Sequence, residues 1–133
     1  MIRAAIAAVV VVLGAGWIAY VHLWRHGNAR PLRYRDVSAR IRGFESRHAL
    51  ALVYPSLSGK ETALLVASGP RSNSGYRLDI VGAVEERDRV VVTVHEHSPT
   101  LAHPGRAVLT YPYRLLMFPR TGKHISIHWE GRP

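Results

Sequence analysis

Residues 4–24, "AAIAAVVVVLGAGWIAYVHLW", run for 21 positions without a charged side chain. A helix rises about 1.5 Å per residue, so this length matches a hydrocarbon core of about 30 Å. The rest of the chain is too short to enclose a helix that is apolar on every side. The segment is therefore expected to be a transmembrane anchor or uncleaved signal, with the lipid bilayer as its partner. Trp17, Tyr20, Trp24 and Arg25 gather at its C-terminal end, where amphipathic rings and a cation meet the headgroups. A cleaved signal peptide is the competing reading, with Arg3 as n-region, residues 4–13 as h-region and Gly14-Ala15-Gly16 as the small-residue site. The bulky Trp17, Ile18 and Tyr20 beyond that site favour retention.

At 133 residues the chain has room for one small domain besides this segment. It has no cysteine, which excludes disulfides, thiolate metal sites and thiol nucleophiles. Its 18 Lys and Arg against 9 Asp and Glu suggest a nucleic-acid binder until they are placed along the chain. Residues 1–54 hold eight basic and two acidic side chains, net +6, and residues 55–133 hold ten and seven, net +3. The excess thus lies beside the apolar run, where arginines meet anionic headgroups. No phosphate-tracking groove is drawn in the domain, and no nucleic-acid partner is expected.

Residues 1–3 read as an n-region, 4–24 as the anchor and 25–35 as an Arg-rich linker broken by Gly27, Asn28 and Pro31. Residues 36–54 are open between helix and strand. Asp36 can cap a short helix with Val37, Ile41 and Phe44 on one face, but Gly43 weakens it and "HALALVY" also suits a strand. Residues 55–133 read as the β-domain, because the apolar period there becomes two. Residues 62–67 form a short apolar run. Tyr76, Leu78, Ile80, Gly82 and Val84 fall on one strand face, and "EERD" turns into a strand with Val90, Val92 and Val94 on one side. "AVLTYPYRLLMFP" and "HISIHW" complete five strand-like runs, with Pro112 expected to break, bulge or edge its strand. The fold class is mainly β, a small antiparallel β-sandwich or open barrel.

Catalytic constellations are not apparent. Glu85, Glu86 and Asp88 fall in a hairpin tip expected to be solvated, and Ser72 and Ser74 lack an activating elbow. His95 and His97 share a strand face, as do His124 and His128, yet two pairs fall short of a convergent metal site. The expectation is no enzyme, no cofactor, no metal and no small-molecule substrate.

The stretch 69–84, "GPRSNSGYRLDIVGAV", packs turn-formers before a strand. Together with its flanks, it resembles the C-terminal domain of the PrcB family, described as protease-complex subunits, over residues 57–119. Gly69, Arg71, Ser72, Asn73, Gly75 and Tyr76 stand where that family has glycine, arginine, turn residues and Gly-Gly-Tyr. Val92, Val94, Ser98 and Pro99 match its V-x-V-x-x-x-S-P pattern, and Thr110, Pro112, Tyr113 and Pro119 its next strand. Ser74 replaces the first glycine of the pair, and Pro70 precedes the arginine instead of following it.

The resemblance implies a non-catalytic, extracytoplasmic module that docks on or stabilises a protein partner such as a protease complex, with residues 69–76 as contact loop. Arg71, hard to explain as packing, is the preferred contact. A weaker likeness to chagasin-type inhibitors implies the alternative of a protease inhibitor presenting the same loop. An envelope scaffold with a lipid-binding basic tether is a third reading. The family implies a C-terminal domain outside the cytoplasm, whereas Arg25, Arg30, Arg33 and Arg35 outnumber Arg3 and favour the opposite by the positive-inside rule.

Overall fold

The computed structural model describes residues 29–55 and 58–131. The expected anchor, with Trp17, Tyr20, Trp24 and Arg25, lies outside them. Eight strands are present among the described residues: β1 (Arg30–Pro31), β2 (Arg35–Asp36), β3 (Ala49–Pro55), β4 (Glu61–Ser68), β5 (Arg77–Glu85), β6 (Arg89–His97), β7 (Tyr113–Pro119) and β8 (His124–Glu130). They form two four-stranded sheets, ordered β1-β5-β6-β8 and β2-β7-β4-β3, and the sheets do not close into a barrel.

Between the sheets lies a core of Leu64, Val66, Leu78, Ala83, Val90, Val92, Val94, Leu116 and Phe118. The expected alternation in β6 is met, with Val90, Val92 and Val94 fully buried. Leu32 and Tyr34, within the stretch expected as linker, pack against this core, and Leu32 N–H donates to Ala83 O at 2.9 Å. Part of residues 25–35 therefore joins the fold.

One pairing departs from the antiparallel expectation: β8 runs parallel to β6, from Arg89↔His124 to His95↔Glu130. The chain leaves β6 for β7 in the opposite sheet and returns, so it reverses direction twice before pairing. A strand lying between two others in sequence but in the other layer makes those two parallel.

Three local expectations are corrected. The inward face of β5 holds only through Ile80, because a bulge between Ile80 and Gly82 shifts the register. Val81 is exposed there, Ala83 turns inward and Val84 faces out. No helix follows Asp36. Its Oδ1 accepts from Ser38 N–H at 3.0 Å and caps a single turn closed by Arg40 and Ile41 N–H on Val37 O, and Gly43 at φ +95° stops any continuation. The segment is instead pinned along the edge of β7, continuing the β2 pairing: Val37 N–H donates to Leu115 O, Leu115 N–H to Ser38 Oγ and Tyr113 O–H to Ile41 O. "HALALVY" takes its strand alternative as β3. Finally, Glu86 at the hairpin tip is buried rather than solvated. Arg89 Nε donates to its carboxylate at 2.7 Å and Lys123 Nζ to its carbonyl at 2.8 Å. The hydrogen bond to Glu86, with its charge, raises the Arg89 guanidinium above its ordinary value.

Because β4 is apolar on both faces, the outer face of its sheet carries a second cluster. Val37, Leu65 and Leu115 are buried there beneath Phe44, Leu50, Tyr113 and Met117.

Candidate functional site

Two loops meet at one end of the sandwich: residues 69–76, joining β4 to β5, and residues 98–112, joining β6 to β7. They share that end because β4 and β6 run toward it and β5 and β7 run away. Pro112 stands just before β7, so the run "AVLTYPYRLLMFP" is strand only from Tyr113 onward. Residues 107–111, expected as strand, belong to the loop apart from an isolated bridge at Thr110. A proline offers no ladder donor, and its carbonyl instead accepts from Ser68 N–H at 3.1 Å.

The first loop is built from buried anchors upward. Gly69 is buried at φ +80°, and an added Cβ would stand 3.1 Å from Ala49 N, so a side chain here would be strained and crowded. Arg71 exchanges both backbone hydrogen bonds with Thr110 at 2.8 Å, stitching the two loops together. Its guanidinium turns inward, where Nε and Nη2 donate to Glu96 Oε1 at 3.3 and 2.9 Å, and its carbon Cζ lies 5.7 Å from the Tyr76 ring centroid. Glu96 continues the inward phase of Val90, Val92 and Val94 and is 1% exposed. Its second oxygen, Oε2, is buried without a hydrogen-bond partner. Arg71 thus has a structural reason to be an arginine: it neutralises a carboxylate at the end of the core.

The loops then interlock. Asn73 Nδ2 donates to Pro104 O at 3.0 Å, and Asn73 Oδ1 accepts from Gly75 N–H at 2.7 Å. Ser74 N–H donates to Arg106 O at 2.9 Å and Arg106 N–H to Ser74 Oγ at 2.8 Å, while Thr110 Oγ1 donates to Asn73 O. Gly105, at φ +67°, comes so near that an added Cβ would stand 2.1 Å from Asn73 Oδ1. Pro99 packs on Gly75, which links the Ser98-Pro99 motif to the glycine of the first loop. The residues singled out by sequence at 69–76 and at 98, 99, 110 and 112 are therefore brought to one place. Tyr113 points to the outer face of the second sheet, packing against Phe44, and Pro119 closes β7 at the far end.

What this framework presents outward is apolar and basic. Ser72 and Ser74 are exposed at the tip of the first loop, while Leu101, Val108 and Leu109 of the second are exposed large apolar side chains, Leu101 fully so. Residues 69–77 and 98–112 contain no acidic residue and, besides the inward-turned Arg71, carry Arg106, His103 and Arg77, the last lying 3.8 Å from Asp79 Oδ2. Tyr76, Thr110 and Tyr111 line a shallow groove of ≈ 300 Å³ beside the tip. Sequence reasoning missed Val108 and Leu109 because the period-two pattern places them on a strand. The usable signal was their position between Pro104-Gly105 and Pro112, where turn chemistry disfavours burial on a sheet face. Glu96 was also missed, though its phase with the inward valines marks it.

His95 and His97 lie edge to face with centroids 4.3 Å apart, and His97 Nε2 is 2.7 Å from Asp79 Oδ2. No group of three or more metal-ligating side chains occurs among the described residues.

Residues 62–119, from β4 through β7 and including both loops, match the family described as PrcB C-terminal. No curated protein and no solved structure matches the chain.

Proposed function

We propose that the chain is a non-catalytic binding module, tethered to the membrane through residues 4–24. Its two-loop end docks on an extracytoplasmic protein partner, such as a protease complex. The PrcB C-terminal match over residues 62–119 supports the association with a protease complex at the level of the family. The observation that carries the docking is the exposed trio Leu101, Val108 and Leu109, held on loops whose backbones are already fixed by mutual hydrogen bonds. Apolar side chains on an ordered loop lose little freedom on binding, so their burial converts into affinity with less entropic loss. The surrounding basic residues favour a partner surface that is apolar at its centre and acidic at its rim. The inhibitor reading draws less support, since Arg71, Asn73 and Ser74 are already engaged in holding the two loops together, which leaves little of the first loop to enter a cleft.

The test is capture from detergent-solubilised membranes with the full chain, wild type against Leu101→Ser, Leu109→Ser. Partners recovered by the wild type should be lost from the double variant at unchanged thermal stability. Equal recovery would overturn the site. Protease accessibility of the C-terminal domain in spheroplasts is expected to show it outside; protection there would overturn the orientation.

A further inference from the structure

The end of the sandwich opposite the two loops is where the chain enters the fold. Arg30 pairs with Glu85 at the close of β5, and β1 runs from there toward the loop end. Around it stand the β5–β6 hairpin tip, the connection between β7 and β8 and the turn that leads into β4. Three acidic side chains at this end are matched by a base: Glu61 by Arg35 at 2.6 Å, Glu85 by Lys123 at 2.9 Å and Glu86 by Arg89 at 2.7 Å. Besides those pairs the end carries Arg30, Lys60, Arg87 and Arg120, all exposed, against Asp88, a net of +3. Arg30, Arg87 and Lys123 border a hollow of ≈ 300 Å³ whose acidic lining is the already matched Glu85 and Glu86. On the other sheet, Val53 and Tyr54 are 51% and 41% exposed, and Val53 borders a second hollow with Arg120. Cations interleaved with an aromatic ring and some aliphatic surface are the side chains suited to a headgroup layer.

We propose that this end rests on anionic lipid headgroups, so that the domain stands on the membrane with its two loops farthest from it. The inference rests on the tether proposed above, residues 4–24, and adds the orientation of the domain. Chain length supports it. Residues 25–30 follow Trp24, and six fully extended residues reach about 20 Å at most, so Arg30 stays within that distance of the segment's headgroup end. β6 runs the length of the sandwich from Arg89, beside this end, to His97, beside the loops, nine residues and about 25–30 Å at the rise of a strand. An inverted domain, with its loops on the lipid, would hold Arg30 beyond the reach of its own tether. Charge then selects between a seated and a tumbling domain: a net of +3 favours the seated state by on the order of a hundredfold on an anionic surface over a neutral one. A lipid phosphate supplies the anion that Arg30, Arg87 and Lys123 around one hollow are suited to hold. The two loops are thereby displayed to a protein partner and not covered by lipid.

The absence of cysteine makes the test direct. The full chain is reconstituted into vesicles of phosphatidylcholine, or of an equal mixture with phosphatidylglycerol, each containing a lipid that bears a nitroxide on its headgroup. A fluorophore is attached at Gly122→Cys, in open space between β7 and β8, or at Ser72→Cys, exposed on the first loop. The nitroxide is expected to quench the label at 122 strongly in the anionic vesicles and weakly in the neutral ones, and the label at 72 weakly in both. Sodium chloride near 1 M, where the screening length falls to about 3 Å, should bring quenching at 122 down to its value in neutral vesicles. The same fall is expected for Lys60→Glu, Arg120→Glu, which takes this end from +3 to −1, with the far-ultraviolet circular dichroism of the wild type. The lipid and salt comparisons do not depend on that variant folding. Equal quenching at 122 in the two lipids would mean that the tether alone sets the distance, and would overturn the seating. Stronger quenching at 72 than at 122, or an undiminished signal in the folded charge variant, would do the same. Failure of the tether reads differently: alkaline carbonate would release the chain from the vesicles, which removes both proposals, whereas loss of seating leaves the chain membrane-bound and the loop docking standing.

Discussion

The side chain on which the loop end depends is a carboxylate placed where the valine pattern of β6 calls for an apolar residue. Glu96 is buried, one of its oxygens is held by Arg71 and the other is unpaired. Removing one member of a buried ion pair strands the other in a medium that solvates it poorly, at a cost of about 3–5 kcal/mol, whereas replacing both by apolar groups is often far less costly. Arg71 retains some exposure to solvent, so Arg71→Ala is expected near the lower end, about 3 kcal/mol by denaturant unfolding. The double variant Arg71→Met, Glu96→Leu should recover most of that loss. If the doubly substituted protein were as unstable as Arg71→Ala, the guanidinium would be acting through something other than Glu96. A partner-contact role for Arg71 would emerge separately, as weakened capture by the stable double variant.

At the scale of elements, the two loops behave as one because Gly105 sits against Asn73. Gly105→Ala combines a left-handed backbone with a methyl group 2.1 Å from Asn73 Oδ1, and each such strain costs of order 1–3 kcal/mol. A lowered melting temperature and faster hydrogen exchange in residues 71–76 are expected, while Gly122→Ala, with open space around it, should be close to neutral. The strands were legible in the sequence wherever one face met the core. The valines of β6, the apolar run of β4 and the return of β8 emerge from period two alone. The bulge at Val81 was not legible, because an inserted residue changes the phase without changing the composition. Nor was the fate of residues 36–48, where a real cap at Asp36 was overridden by hydrogen bonds to β7 from far along the chain. At the candidate site, turn residues flagged the first loop, but the second loop's role rests on contacts between segments some thirty positions apart, which no local pattern encodes.

For the molecule as a whole, Arg114 is where the layers are tied. From β7 its Nε donates to Leu78 O of β5 at 2.5 Å, and its other nitrogens reach Asp79 and Asp36 at 3.5 and 3.7 Å. Arg114→Met preserves much of the side-chain bulk but leaves Leu78 O without this donor. We expect a loss of about 1–2 kcal/mol with unfolding still a single transition, read by thermal melts followed in both far- and near-ultraviolet signals. Separation of the two signals would mean that tertiary packing is lost while the strands persist, and that this arginine holds the layers together. The interleaving at the loop end has a consequence for how such a chain can change over generations. Because each loop supplies the other's hydrogen-bond partners, neither can be lengthened or shortened alone without releasing both, so substitutions near positions 73 and 105 should be tolerated mainly as matched pairs.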